Sequence, residues 1–135
     1  MTAIVESILF LQTIIQKIHA ALNAVSQIQC KTTMQTLHML DLRATTTVID
    51  ALCRTNDIDR KSECVQIAFK NLQSILVVIH DTLETVSLIS DQHKLKYFHG
   101  YRSIDNTQYL ENLILNSELL HKRFALFATL YQINK

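Results

Sequence analysis

The chain has 135 residues, 48% of them hydrophobic, and its 13 Lys and Arg against 12 Asp and Glu leave a formal net charge of +1. That length suits one core, and the apolar content is too high for a disordered chain. The near-neutral balance excludes the strongly basic face with which a domain grips nucleic acid, and contact with anionic lipid would need a local basic patch.

There is no proline and a single glycine, Gly100. Sheets need tight turns, and tight turns usually need one or the other, so long helices are expected. The first segment, residues 2–27, carries Ile4, Ile8, Leu11, Ile15, Ile18, Leu22 and Val25 at alternating gaps of four and three. This is one face of a helix packed at a shallow angle, widened by Phe10, Ile14 and Ala21. No Lys or Arg precedes the apolar run Ile8–Ile15 and Glu6 stands at its edge, which fits a signal peptide poorly. No stretch reaches about 18 uninterrupted apolar residues, so a constitutive membrane span is not expected.

The second segment, residues 30–54, places Thr33, Leu37, Leu40, Ala44, Val48, Ala51 and Leu52 on one predicted face, with Asp41, Arg43 and Asp50 near the other. Thr45, Thr46 and Thr47 are weak helix formers because of their branching at Cβ. The polar stretch Thr55–Ser62 is a break, and Ser62 followed by Glu63 reads as a helix start with an acidic first turn. From there Val65, Ala68, Leu72, Ile75, Ile79, Leu83 and Val86 predict a third helix over 63–90. Leu76, Val77 and Val78 make it apolar most of the way round, marking it as the central one.

Ser90–Asp105 reads as a second break, a short brace in which Lys94, Lys96 and Arg102 alternate with Tyr97, Phe98 and Tyr101. Cations beside aromatics suit a lipid headgroup layer or a partner surface, and equally an aromatic plug for the bundle end with solvated cations. The last helix, 105–133, carries Leu110, Leu113, Ser117, Leu120, Phe124, Phe127 and Tyr131 at the same alternating spacing. The predicted fold is an all-α, antiparallel four-helix bundle in one domain, with a short brace segment before the last helix.

No catalytic constellation emerges. The six histidines form no His-x-x-x-His pair and no set of two Glu-x-x-His motifs such as a di-metal bundle needs, so no metal and no cofactor are expected. Cys30, Cys53 and Cys64 are an odd number without a C-x-x-C pair. They read as idle thiols of a reducing compartment, a Cys53–Cys64 bridge being the alternative.

Ile14–Leu22 followed by Cys30, Leu37, Leu40, Arg43, Val48 and Leu52 is similar to the first two helices of the N-terminal domains of mixed lineage kinase domain-like pseudokinases, and of the broader HeLo-type bundles of fungi and plants. Phe69, Leu72, Ile75, Ile79, Leu83 and Val86, the Lys96-Tyr97-Phe98 break, and Leu110, Leu113, Leu119 and Leu120 resemble helix three, the brace and helix four of that group. The resemblance implies a cytoplasmic cell-death or immunity effector that oligomerises on release from a regulatory domain, is recruited to membranes and permeabilises them. Ile4, Ile8 and Leu11 on the first helix, with Lys94, Lys96, Arg102, Lys122 and Arg123, would then touch lipid or partner. The competing expectation is a soluble adaptor that self-associates or binds a helical protein through surplus apolar positions such as Leu9, Leu42, Ile67 and Leu88, with no membrane role.

Overall fold

The computed structural model describes the backbone of residues 2–26, 31–54, 62–97 and 107–133, and the side chains of 8–26, 33–54, 62–89 and 107–133. All of its regular structure is helical: α1 (Thr2–Val25), α2 (Lys31–Leu40), α3 (Leu42–Arg54), α4 (Glu63–Tyr97) and α5 (Thr107–Ile133). The α2 and α3 helices follow each other across one residue, so the bundle has four arms, as the four apolar stripes require.

Pairs that cross between helices set the directions. His19 meets Thr46 and Asn23 meets Arg43, numbers that run oppositely, so α1 and α3 are antiparallel. Arg123 meets Asn71 and Phe127 meets Phe69, so α4 and α5 are antiparallel too. Val25, Val86, Leu37 and Tyr109 cluster at one end of the bundle, which sets α1 and α4 pointing the same way. The extensive contacts form a ring: α4 packs on α5 and on α1, α1 also packs on α3, and α5 on α2.

The main core is where the spacing places it. Leu11, Ile15, Ile18 and Leu22 of α1 and Leu72, Ile75, Leu76, Ile79 and Leu83 of α4 are buried, with Leu110, Leu113, Leu120 and Phe127 of α5. Each large aliphatic removed from water contributes about 1.5–3 kcal/mol, an upper figure because the unfolded chain already hides some surface. At the end opposite Val25, Phe127 stacks obliquely between Phe69 and Tyr131, at centroid distances of 5.9 and 6.0 Å, within the range that favours aromatic pairs. Ser117 occupies a core position in α5 with a hydroxyl that has no hydrogen-bond partner among the described residues.

Three departures from the sequence pattern are physical. Phe10, expected to widen the α1 stripe, is 49% exposed; it sits too far round the helix from Ile18 to reach the shared interior. The expected break at Ser90 is absent, and α4 runs on to Tyr97. Polarity alone does not end a helix, and Gln92, Lys94, Leu95 and Lys96 are all good helix formers with no glycine or proline among them. The expected brace, from Phe98 onward, lies outside the described residues.

The third departure is in the second arm. Thr33 is buried and Leu37 and Leu40 are half-buried, but Ala44, Val48 and Ala51 are exposed, Val48 at 56%. Leu42, Thr46, Ile49 and Cys53 are buried instead. On one continuous helix at 3.6 residues per turn, Leu42 would lie about 180° from Thr33. Asp41 removes the conflict. Its φ of 50° is left-handed, the one such non-glycine residue among those described, and it swings the following helix so that the other face turns inward.

Hydrogen bonding stays nearly continuous through the kink. The Asp41 amide donates to the Leu37 carbonyl at 3.3 Å, and the Asp41 carbonyl accepts from the Thr45 amide at 3.2 Å and its hydroxyl at 3.1 Å. Asp tolerates this region better than most residues, and a β-branched side chain tolerates it least. Replacing Asp41 by Val is expected to lower the unfolding free energy by about 1–2 kcal/mol, while Asp41→Gly leaves it unchanged or raises it. Equal losses in both variants, measured by denaturant unfolding, would contradict a backbone origin for the kink.

Candidate functional site

Most charged side chains among the described residues are exposed, and a few polar groups sit in the seams between helices. Cys53 is buried, and desolvation, followed by the nearby Asp50 charge, pushes its thiol up to about 12. It therefore stays protonated and is a poor nucleophile. Cys64 is exposed and both are free thiols; Cys30 lies outside the described residues.

His19 belongs to the α1–α3 seam. The Thr46 hydroxyl has one proton and donates it to a backbone carbonyl, Leu42 at 2.8 Å being the nearest, so it accepts from His19 Nε2–H at 2.8 Å. Arg43 donates to the Asn23 side-chain carbonyl one turn further along the seam. Burial lowers the His19 pKa from 6.5, and the Arg43 charge lowers it further, against the opposing pull of Asp50. The folded protein thus holds this imidazole neutral where the unfolded chain would protonate it. Stability is then unaffected above pH 6.5 and falls as pH drops below it. Denaturant midpoints at neutral and mildly acidic pH should show a smaller acid loss in His19→Gln than in the native chain; an identical loss in both would remove His19 from the account.

His80 makes two acidic contacts on α4. Its Nδ1 lies 3.1 Å from Asp81 Oδ1 and its Nε2 lies 3.5 Å from Glu84 Oε2. The His-x-x-x-Glu spacing is visible in the sequence.

The sequence-predicted contact residues do not converge on one surface. Leu11 is fully buried and Ile8 half-buried against the main core, so both are packing residues in this fold. Ile4 lies on α1, and Lys94 and Lys96 on the last turns of α4, all three with side chains outside the described set, as is Arg102 altogether. Lys122 is exposed on α5, whereas Arg123 turns back and donates to the Asn71 carbonyl at 2.8 Å. Of the surplus apolar positions, Leu9, Ile67 and Leu88 are exposed, but Leu42 is buried by the Asp41 kink.

A larger apolar feature was not anticipated. At about 100° per residue, Ile67, Asn71, Val78 and Thr85 share one side of α4, and Leu115, Leu119, Leu126 and Ile133 share one side of α5. The Arg123–Asn71 hydrogen bond joins the edges of the two rows, so both flank the same outer groove. The aliphatic members are exposed, from 37% at Leu119 to 73% at Ile133. Lys122 stands on the same side of α5, three residues after Leu119 and four before Leu126, Asp81 borders the α4 row, and Arg123 lies at the groove edge. A signal existed: Leu115, Leu119 and Leu126 repeat at helical spacing beside, not within, the core stripe of α5. In addition, a shallow cleft of about 280 Å³ opens beside the kink, lined by Leu22, Ser26, Met34, Leu37, His38, Asp41, Leu42 and Arg43.

Comparison with known proteins finds no matching family model, no matching curated protein and no matching solved structure.

Proposed function

We propose that this chain is a non-catalytic helical association module that pairs with a second copy of itself through the outer face of α4 and α5. The observation that carries the reading is the double row of exposed aliphatics, Ile67, Val78, Leu115, Leu119, Leu126 and Ile133, along one outer groove. Contiguous apolar surface of this kind marks an interaction site more often than chance exposure does. A two-fold pairing sets each row against its own copy. The Arg123 guanidinium at the groove edge is already engaged by a backbone carbonyl.

A second reading, membrane permeabilisation as in the HeLo-type bundles, rests on a different observation. Judged by mean hydropathy and not by uninterrupted runs, two helices are long and apolar enough to cross a membrane, over Ile8–Val25 and Glu63–Ile89. Their apolar side chains, Leu11, Ile18, Leu76 and Leu83 among them, also fill the core. Insertion would therefore require the bundle to open, whereas self-association would not.

Sedimentation at about 100 μM, where a dimer of micromolar affinity is filled, is expected to show a dimer. Leu119→Glu with Leu126→Glu should give a monomer of unchanged helicity. A native chain that stays monomeric would overturn the proposal. Leakage of anionic vesicles by the native chain, lost when the exposed Leu9 and Phe10 become Glu, would favour the membrane reading instead.

A further inference from the structure

We propose that His80 and Glu84 on α4 chelate a divalent transition-metal ion of the zinc class, with Asp81 holding the imidazole in the ligating tautomer. The three side chains bring one ligand atom each to within 4.8 Å of one another. His80 and Glu84 stand four residues apart, one above the other on the helix surface. Asp81 accepts from Nδ1 at 3.1 Å. A neutral imidazole has one N–H, so this bond leaves Nε2 with a bare lone pair, pointed at a Glu84 carboxylate oxygen 3.5 Å away. A proton on the ring or a metal ion between the two satisfies both groups.

The gap has the right width for one. Nitrogen and oxygen ligands at about 2.0–2.1 Å from a tetrahedral ion sit about 3.3 Å apart. A carboxylate on the second ring nitrogen is also the usual companion of a metal-bound histidine, since it fixes the tautomer and raises the ligand's basicity. The His80 side chain is only 15% exposed, held against the bundle, while Asp81 and Glu84 are open to solvent at 69% and 60%, so an ion can enter. The mixed nitrogen and oxygen donors suit Zn²⁺ over Ca²⁺ or Mg²⁺, which prefer all-oxygen shells. The remaining coordination positions face solvent and take water. His80 lies about 160° round α4 from Val78 in helical position, with Asp81, three residues after Val78, at the border of the proposed association face.

Calorimetric titration of the full chain with Zn²⁺, at pH about 7.5 where an ordinary imidazole is mostly neutral, tests this. One binding event is expected, abolished in His80→Ala and in Glu84→Gln and weakened about 10- to 100-fold in Asp81→Asn, with Mg²⁺ giving no heat. The variants sit at the surface or its edge, and their circular dichroism should match the native chain. Absence of Zn²⁺ binding in the native protein would overturn the assignment. So would binding that survives in His80→Ala but is lost in Cys64→Ser, which would place the ion on the exposed thiol.

Discussion

Closure of this bundle rests on the backbone of one residue. The second arm has to serve two neighbours, its first half packing on α5 and its second half on α1. The apolar residues for those two tasks lie on opposite faces of a continuous helix: Thr33, Leu37 and Leu40 on one, Leu42, Thr46, Ile49 and Cys53 on the other. The left-handed φ at Asp41 turns the second set inward. Without it, either α1 loses the wall against its outer flank or α5 loses its contact with α2. The local strain of a non-glycine residue in this region is of order 1–2 kcal/mol. Burying Leu42 and Ile49, at about 1.5–3 kcal/mol each, outweighs it.

The seam that the kink creates is polar as well as apolar. Thr46 is fully buried yet satisfied, because its hydroxyl bonds back to its own helix and accepts from His19. This makes α1 and α3 a packed pair that depends on a neutral imidazole, while the α1–α4 and α4–α5 contacts are built from aliphatic and aromatic side chains. The α1–α3 seam is therefore sensitive to protons through His19. The arm that holds the kink is also the arm with the pH-sensitive seam.

Where one helix keeps one phase, the sequence is a sufficient guide. The stripes of α1, α4 and α5 recur in the structure almost residue for residue, since 3.6-residue geometry leaves a steady apolar period only one way to face. The second arm was misread past residue 40, because a positive φ leaves no mark on the period itself. Its one trace is the pair of in-phase sets meeting at an Asp, a residue that tolerates the left-handed region. The end of α4 departs from the pattern for a different reason: polar composition suggests a break, yet no glycine or proline there stops the helix. The candidate contact residues fared unevenly, because hydrophobic spacing cannot tell a core stripe from a second, solvent-facing one. Leu11 proves to be core, whereas Leu119, read as part of a helix pattern, borders the exposed groove of α4 and α5. Charge counting likewise could not foresee that Arg123 folds back onto the Asn71 carbonyl at the edge of that groove.

The central claim is the change of inward face at Asp41, and Cys53 reports on it directly. In the Cys30→Ser, Cys64→Ser protein, Cys53 is the one thiol left, and its labelling by a maleimide under native conditions is the measurement. The structure puts this side chain at 1% exposure, so labelling is expected only on the timescale of unfolding, while a cysteine introduced at Val48 in the Cys53→Ala version of that background labels at once. Rapid reaction at Cys53 together with protection at position 48 would mean that the second arm is one continuous helix with its other face inward, and would contradict the account.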